Sequence, residues 1–241
     1  RMRLLKSTPA RCSPRRWTGA LPVARALVRT LAASGKPLDI LVTATASGLD
    51  VDLKGHGPLN DVQRQCLVRV ALEHDLARLS NHGEIVISQR TPMLAMGKAT
   101  VAPPPGVFLQ ATEAGEEALV ARVCAHVAGA RRIADLFSGV GTFALRMAEF
   151  ATVDAFDLEE AALSALAKAA RVKGLRQVAV SPRDLFRRPL GALEAEKYDA
   201  VVFDPPRAGA EKQALVLGAS PVPLVVAVSC NPQTFARDAA I

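Results

Sequence analysis

The stretch Asp135-Leu136-Phe137-Ser138-Gly139-Val140-Gly141-Thr142-Phe143-Ala144 decides the fold of this 241-residue chain. It closes a short apolar run, Ile133–Phe137, which reads as one strand, and leads towards a helix. Two glycines at such a junction let the backbone turn tightly and approach a ligand closely. The first turn of the following helix offers free N–H groups there. Taken alone, Gly139-x-Gly141-x-x-Ala144 also fits a dinucleotide-binding turn.

Downstream, short apolar strands are expected at Thr152–Phe156, Gln177–Val180, Ala200–Phe203 and Leu224–Val228. A helix, Glu113–Ala128, precedes the first strand. Another, Glu159–Arg171, carries Ala162, Leu163, Leu166 and Ala169 on one face. Strands alternating with helices imply an α/β fold, a doubly wound parallel sheet covered on both faces. Ligands of such sheets lie at the carboxyl ends of the strands. There the chain carries marked residues: Asp157, able to accept hydrogen bonds from a ribose; Asp204-Pro205-Pro206-Arg207-Ala208-Gly209; and Ser229-Cys230-Asn231-Pro232-Gln233-Thr234-Phe235-Ala236-Arg237-Asp238. Two prolines after an acid make a rigid wall at the sheet edge. A cysteine in a polar loop past an apolar strand is placed to act as a nucleophile.

Upstream of this half the pattern changes. Val23, Ala24, Leu27, Val28 and Leu31 predict a helix with Pro22 in its first turn and Gly35 as its C-terminal cap. Ile40, Val42 and Ala44, then Leu49, Val51 and Leu53, predict a hairpin around Ala46-Ser47-Gly48. Asn60 caps an expected helix with Val62, Cys66, Leu67, Val70 and Leu76, ending near Gly83. Strands are expected at Glu84–Ser88 and Ala99–Val101. Pro103-Pro104-Pro105-Gly106 then breaks the chain. The expected domains are a basic segment 1–20, a smaller α+β domain 21–106, and the α/β domain 107–241.

Half the residues are apolar, which excludes a disordered chain. The long uncharged run Ala214–Ala236 holds three prolines, an asparagine and a glutamine, so no membrane span is expected. The net charge of +7 is uneven. Residues 1–38 hold nine Lys/Arg and no acid, as an arm that meets a polyanion would. The four cysteines, at 12, 66, 124 and 230, share no close spacing. No disulfide lattice or metal site is expected, and a reducing, cytoplasmic location is.

DLFSGVGTF, the acid Asp157, DPPRAG and SCNPQTFARD, in this order, resemble the RNA 5-methyluridine methyltransferases. The resemblance covers about Val107–Ile241, with weaker likeness to the family's central domain from Leu21. It implies a Rossmann-like class I methyltransferase sheet and S-adenosylmethionine as cofactor. The implied reaction methylates C5 of a uridine in RNA, with ribosomal RNA favoured over transfer RNA. Cys230 matches the nucleophile. Gln110 matches a glutamine that contacts the methionine part of the cofactor. Phe137 and Thr142 flank the cofactor glycines Gly139 and Gly141; Thr142 stands where some members have asparagine. Asp157 matches the ribose-binding acid, Asp184 a polar position that meets the adenine, and Asp204 the acid lining the cleft.

The resemblance also implies a general-base Glu and further strands past Ile241, so the chain reads as truncated there, and no base is assigned. Some members hold an iron–sulfur cluster on four cysteines; Cys12 alone cannot make one. Three other readings stay open: a nicotinamide-dependent oxidoreductase built on the same turn, a methyltransferase acting on an exocyclic adenine nitrogen, and a catalytically silent RNA-binding fragment.

Overall fold

The computed structural model describes residues 19–31 and 37–241. Nearly all of the expected basic segment 1–20 lies outside the described residues, as do Cys12 and the expected cap Gly35. The chain divides into two compact units. One takes the described residues up to Leu94 with Ala102–Gly115, the other Ala95–Val101 with Glu116–Ile241.

In the first unit, α1 (Ala20–Leu31) and α2 (Asp61–Glu73) cover one face of a four-stranded sheet. Its strands are β1 (Asp39–Thr45), β2 (Gly48–Lys54), β3 (Arg78–Asn81) and β4 (Glu84–Ser88), hydrogen-bonded in that order. Val23, Leu27 and Leu31 of α1 meet Val51 and Leu53 of β2 and Leu67 and Val70 of α2 in a dry core. Asn60 caps α2 as expected: its side chain accepts from the Gln63 amide, and Gln63 answers on the Asn60 amide.

The helix does not run on towards Gly83. Asp75 turns into the left-handed region at φ 50° and ends it, so Leu76 enters the core from a turn. His82 and Gly83, at φ 52° and 82°, instead make the two-residue hairpin turn between β3 and β4. Val51 and Leu53 face the helices, so Asp50 and Asp52, which alternate with them, face the other way. There Arg78 grips Asp50 through two hydrogen bonds of 2.8 and 2.6 Å and donates a third, of 3.0 Å, to the Pro103 carbonyl. The proline run is therefore fastened to the first unit rather than hanging as a free linker.

The second unit carries nearly all of a small hairpin, β5 (Leu94–Met96) and β6 (Ala99–Val101), and all but the first turn of α3 (Glu113–Val127). Then come β7 (Arg132–Leu136), α4 (Ala144–Met147), β8 (Thr152–Asp157), α5 (Glu160–Ala169) and β9 (Val178–Pro182). The rest is α6 (Ala192–Ala195), β10 (Ala200–Phe203), α7 (Glu211–Gly218), β11 (Val225–Ala227) and α8 (Pro232–Ala239). Five strands pair in parallel in the order β11-β10-β7-β8-β9. The order reverses between β7 and β10, a switch point whose carboxyl edge opens a crevice. This is the doubly wound α/β fold expected from the sequence. One face of the sheet is filled by Ala134, Leu136, Val201 and Phe203 against Leu190, Tyr198 and Leu217.

Candidate active site

Five loops leave the carboxyl edge of the parallel sheet. After β7 the backbone turns sharply: Phe137 sits at φ 61°, Gly139 at 53° and Gly141 at 99°. A left-handed phenylalanine is a true outlier, and such strain is held only where surroundings fix it. Here the Ser138 amide donates to the Phe156 carbonyl at 3.1 Å, and the Phe137 ring packs on Phe186 at 5.4 Å between centroids. Phe137 therefore belongs to the turn, not to the expected strand Ile133–Phe137.

The two glycines do different work. A side chain at Gly141 would drive into Leu166 of α5, so this glycine serves close packing of helix on turn. A side chain at Gly139 would meet nothing within 4 Å, so its backbone faces open space, as a ligand cradle requires. Thr142 follows, half-buried. Asp157, at the end of β8, fixes this cradle: its carboxylate accepts from the Gly139 amide at 2.8 Å and from the Glu159 amide at 2.9 Å.

Asp184, past β9, shapes its own loop. One of its oxygens accepts from the amides of Phe186 and Arg187, at 3.0 and 3.1 Å. Arg183 binds the carbonyls of Arg188 and Pro189 and forks onto Glu194, so this loop is tightly held. Gln110 belongs to the first unit.

Three carboxylates meet electrostatically at the switch point. Asp135 is 1% exposed, and neither of its oxygens makes a hydrogen bond of full geometry. Burial pushes its carboxyl well above the usual range, and the charges of Asp204 and Asp157 push it further; the Ala144 amide only partly offsets them. Asp204, half-buried after β10, is pushed up to about 6, also by burial. The Ser138 hydroxyl beside the turn is buried without a partner. Asp135 was not among the residues the sequence singled out. Its signal was there: an acid ending an otherwise apolar strand buried on both faces.

Cys230 is exposed, in the loop between β11 and α8. Asn231 caps α8 by accepting from the Gln233 amide at 3.1 Å, with Pro232 in the first turn. The Asn231 side-chain amide also donates to the Arg207 carbonyl at 3.1 Å, which ties the SCNP loop to the DPPR loop. Pro205 is buried, whereas Pro206 and Arg207 are exposed. An apolar groove of about 280 Å³ beside them is lined by Phe203, Pro205, Leu217, Val225, Phe235 and Asp238, without Cys230 or Asp204. Among the described residues, no group of three or more His, Cys, Asp or Glu could hold a metal ion, and no helix is long and apolar enough to cross a membrane.

The strand order, the glycine turn after β7 and the acid ending β8 define the class I methyltransferase fold. More narrowly, residues 98–219, just over half of the chain, match the Methyltransferase small domain, and the chain belongs to that family. A Brucella suis protein named as an uncharacterized RNA methyltransferase is 53% identical over 212 residues, 88% of this chain and 51% of that protein. The 23S rRNA (uracil(1939)-C(5))-methyltransferase RlmD of Chromohalobacter salexigens is 40% identical over 139 residues, 56% of this chain and 29% of that protein. Among solved structures, the Pyrococcus abyssi tRNA (uracil-54, C5)-methyltransferase superposes with a TM-score of 0.66 at 21% identity, covering 92% of this chain and 59% of its own. These names agree with the resemblance carried by DLFSGVGTF, DPPRAG and SCNPQTFARD. The chain spans about half the length of the curated relatives it matches.

Proposed function

We propose that this chain carries the S-adenosylmethionine site and the nucleophile of an RNA uracil-C5 methyltransferase, acting on ribosomal RNA in the cytoplasm. The observation that carries the reading is the SCNP loop, with Cys230 exposed, tied to the DPPR loop at the carboxyl edge of a methyltransferase sheet. The residues fit the cofactor. Its sulfonium and ammonium groups are cationic, and the switch point gathers Asp135, Asp157 and Asp204 with Asp135 lacking a full partner. Gly139 offers an open backbone, and Asp157 holds that backbone in place. Gly139, Gly141, Thr142 and Phe137 would shape the cradle, Asp157 would take the ribose and Asp184 the adenine edge. When bound, S-adenosylmethionine supplies an electrophilic methyl group.

The chain's own work is to make C5 of uracil nucleophilic. C5 alone reacts too slowly, so the Cys230 thiolate adds to C6 and leaves an enolate with its charge on C5. Once C5 has taken up the methyl group, loss of its proton to a base restores the 5,6 double bond as the C6–S bond breaks and the thiolate leaves. A base in folded RNA must first be unstacked, at a cost of a few kcal/mol. Exposed Pro206, held by its buried neighbour Pro205, would give the flipped base a surface to pack on. The relative named as a 23S rRNA uracil-C5 methyltransferase favours ribosomal over transfer RNA.

Calorimetry with S-adenosylhomocysteine tests the cofactor site. The wild-type chain should bind it, and Asp157→Ala should weaken binding by about 1–3 kcal/mol, as for a lost charged hydrogen bond. Tight binding of NAD with none of S-adenosylhomocysteine would contradict the reading.

A further inference from the structure

The last helix, α8, poses a packing question: none of its residues is fully buried, yet it follows the nucleophile loop directly. Apolar burial of its own face therefore does not fix its position. What fixes it is polar. The Asp238 side chain is 6% exposed, and one of its oxygens accepts from the Ala210 amide at 2.7 Å, 28 residues back in the chain. The other accepts from Arg237 Nε and Nη2, at 2.8 and 2.6 Å. Arg237 Nη2 also donates to the Ala208 carbonyl at 3.2 Å, and its Nε lies 3.6 Å from Glu211. Thr234, one turn earlier, donates to the Arg207 carbonyl at 3.3 Å.

The loop after β10 is shaped to receive this pair. Pro206 accepts from the Gly209 amide at 2.8 Å, and Gly209 sits at φ 75°. A side chain there would come within 2.6 Å of both Arg237 Nη2 and Asp238 Oδ2. Gly209 is needed twice, for its left-handed backbone and for the space that α8 occupies.

We propose that Asp238, assisted by Arg237 and seated against Gly209, is a positioning residue that latches the Cys230 loop to the loop carrying Asp204. The inference rests on the proposed role of Cys230 and deepens it. Cys230 lies one residue before the cap of α8, so wherever α8 sits, the sulfur follows. With the latch closed, the nucleophile and the DPPR wall form one rigid edge. With it open, Cys230 stays on the surface but loses its register against that wall.

Two measurements on the full chain test the latch. In the first, Cys230 is alkylated with iodoacetamide at fixed pH and followed by peptide mass spectrometry. Asp238→Ala and Gly209→Ala should change its rate at least threefold. Asp238→Asn, which keeps an oxygen for the Ala210 amide, should fall between wild type and Asp238→Ala. Gln233→Ala, an exposed change on the same helix, should leave the rate alone. In the second, with S-adenosylmethionine and 5-fluorouridine RNA, Asp238→Ala should slow adduct formation tenfold or more. Its affinity for S-adenosylhomocysteine should stay within twofold of wild type, which a loss of folding would not permit. If the wild type forms no adduct, the reading of Cys230 as nucleophile fails, and the alkylation series alone decides the latch. Unchanged alkylation in both Asp238→Ala and Gly209→Ala overturns it, as does an equal effect from Gln233→Ala.

Discussion

Asp50 and Asp135 are both buried aspartates on strands, 7% and 1% exposed, and the two units treat them in opposite ways. In the first unit Asp50 is met by a two-pronged Arg78, itself buried, whose remaining donor ties down the proline run. That carboxylate is a finished structural element. In the second unit Asp135 has no full hydrogen bond and two other acids for neighbours. Burial and acidic neighbours favour the protonated form of such a carboxyl, and the cationic groups of the proposed cofactor would be what favours its charge. The difference separates a carboxylate paired within the fold from one left without such a partner.

The largest test of the contrast is Arg78→Ala. It leaves Asp50 buried and unpaired, so chemical denaturation should show the first unit destabilised by about 3–5 kcal/mol. A loss below about 1 kcal/mol would show that the pair is not structural. Next come the two glycines of the turn after β7. Gly141→Ala forces a methyl into Leu166 and a left-handed backbone onto alanine, and should cost about 2–4 kcal/mol. Gly139→Ala meets open space and should cost only about 1 kcal/mol of stability while weakening S-adenosylhomocysteine binding the more strongly of the two. The reverse order would place the ligand face on Gly141.

The smallest effect is a pH dependence. Burial raises the Asp204 carboxyl from 3.8 to about 6 in the fold. The native state thus holds its proton more tightly than the unfolded chain, and stability from this group is full below about pH 4. It is lost as pH rises through 6, by about 1–2 kcal/mol once partial exposure is allowed for. Urea midpoints between pH 4 and 7 should fall less steeply in Asp204→Asn than in wild type. Saturating S-adenosylhomocysteine, which brings an ammonium, should flatten the wild-type curve as well.

Much of this was legible in the sequence because it is periodic or local. The strands β7, β8 and β10 and the hairpin of β1 and β2 lie within a residue or two of where alternation and apolar runs put them. The Asn60 cap and the glycine turn are likewise local chemistry. What escaped depends on contacts distant in sequence. Arg78–Asn81, with no apolar alternation, is a strand only because β2 and β4 flank it, so the preceding helix was read straight through it. The left-handed backbone of Phe137 contradicts its residue type and is imposed by the turn. The burial of Asp135 and the pairing of Asp238 with the Ala210 amide leave no mark in any pattern of neighbours. Arg237, too, takes its part from distant contacts: it bonds Asp238 and the Ala208 carbonyl and so anchors the helix.

The central claim is that Cys230 attacks a uridine beside a bound S-adenosylmethionine. The most direct test incubates the protein with the cofactor and 5-fluorouridine RNA, then locates any adduct by mass spectrometry. Fluorine does not leave as a proton does, so a methylated nucleotide should stay bound to Cys230, and Cys230→Ser should show none. An adduct on another residue, or RNA methylated at full rate by Cys230→Ser, would contradict the account.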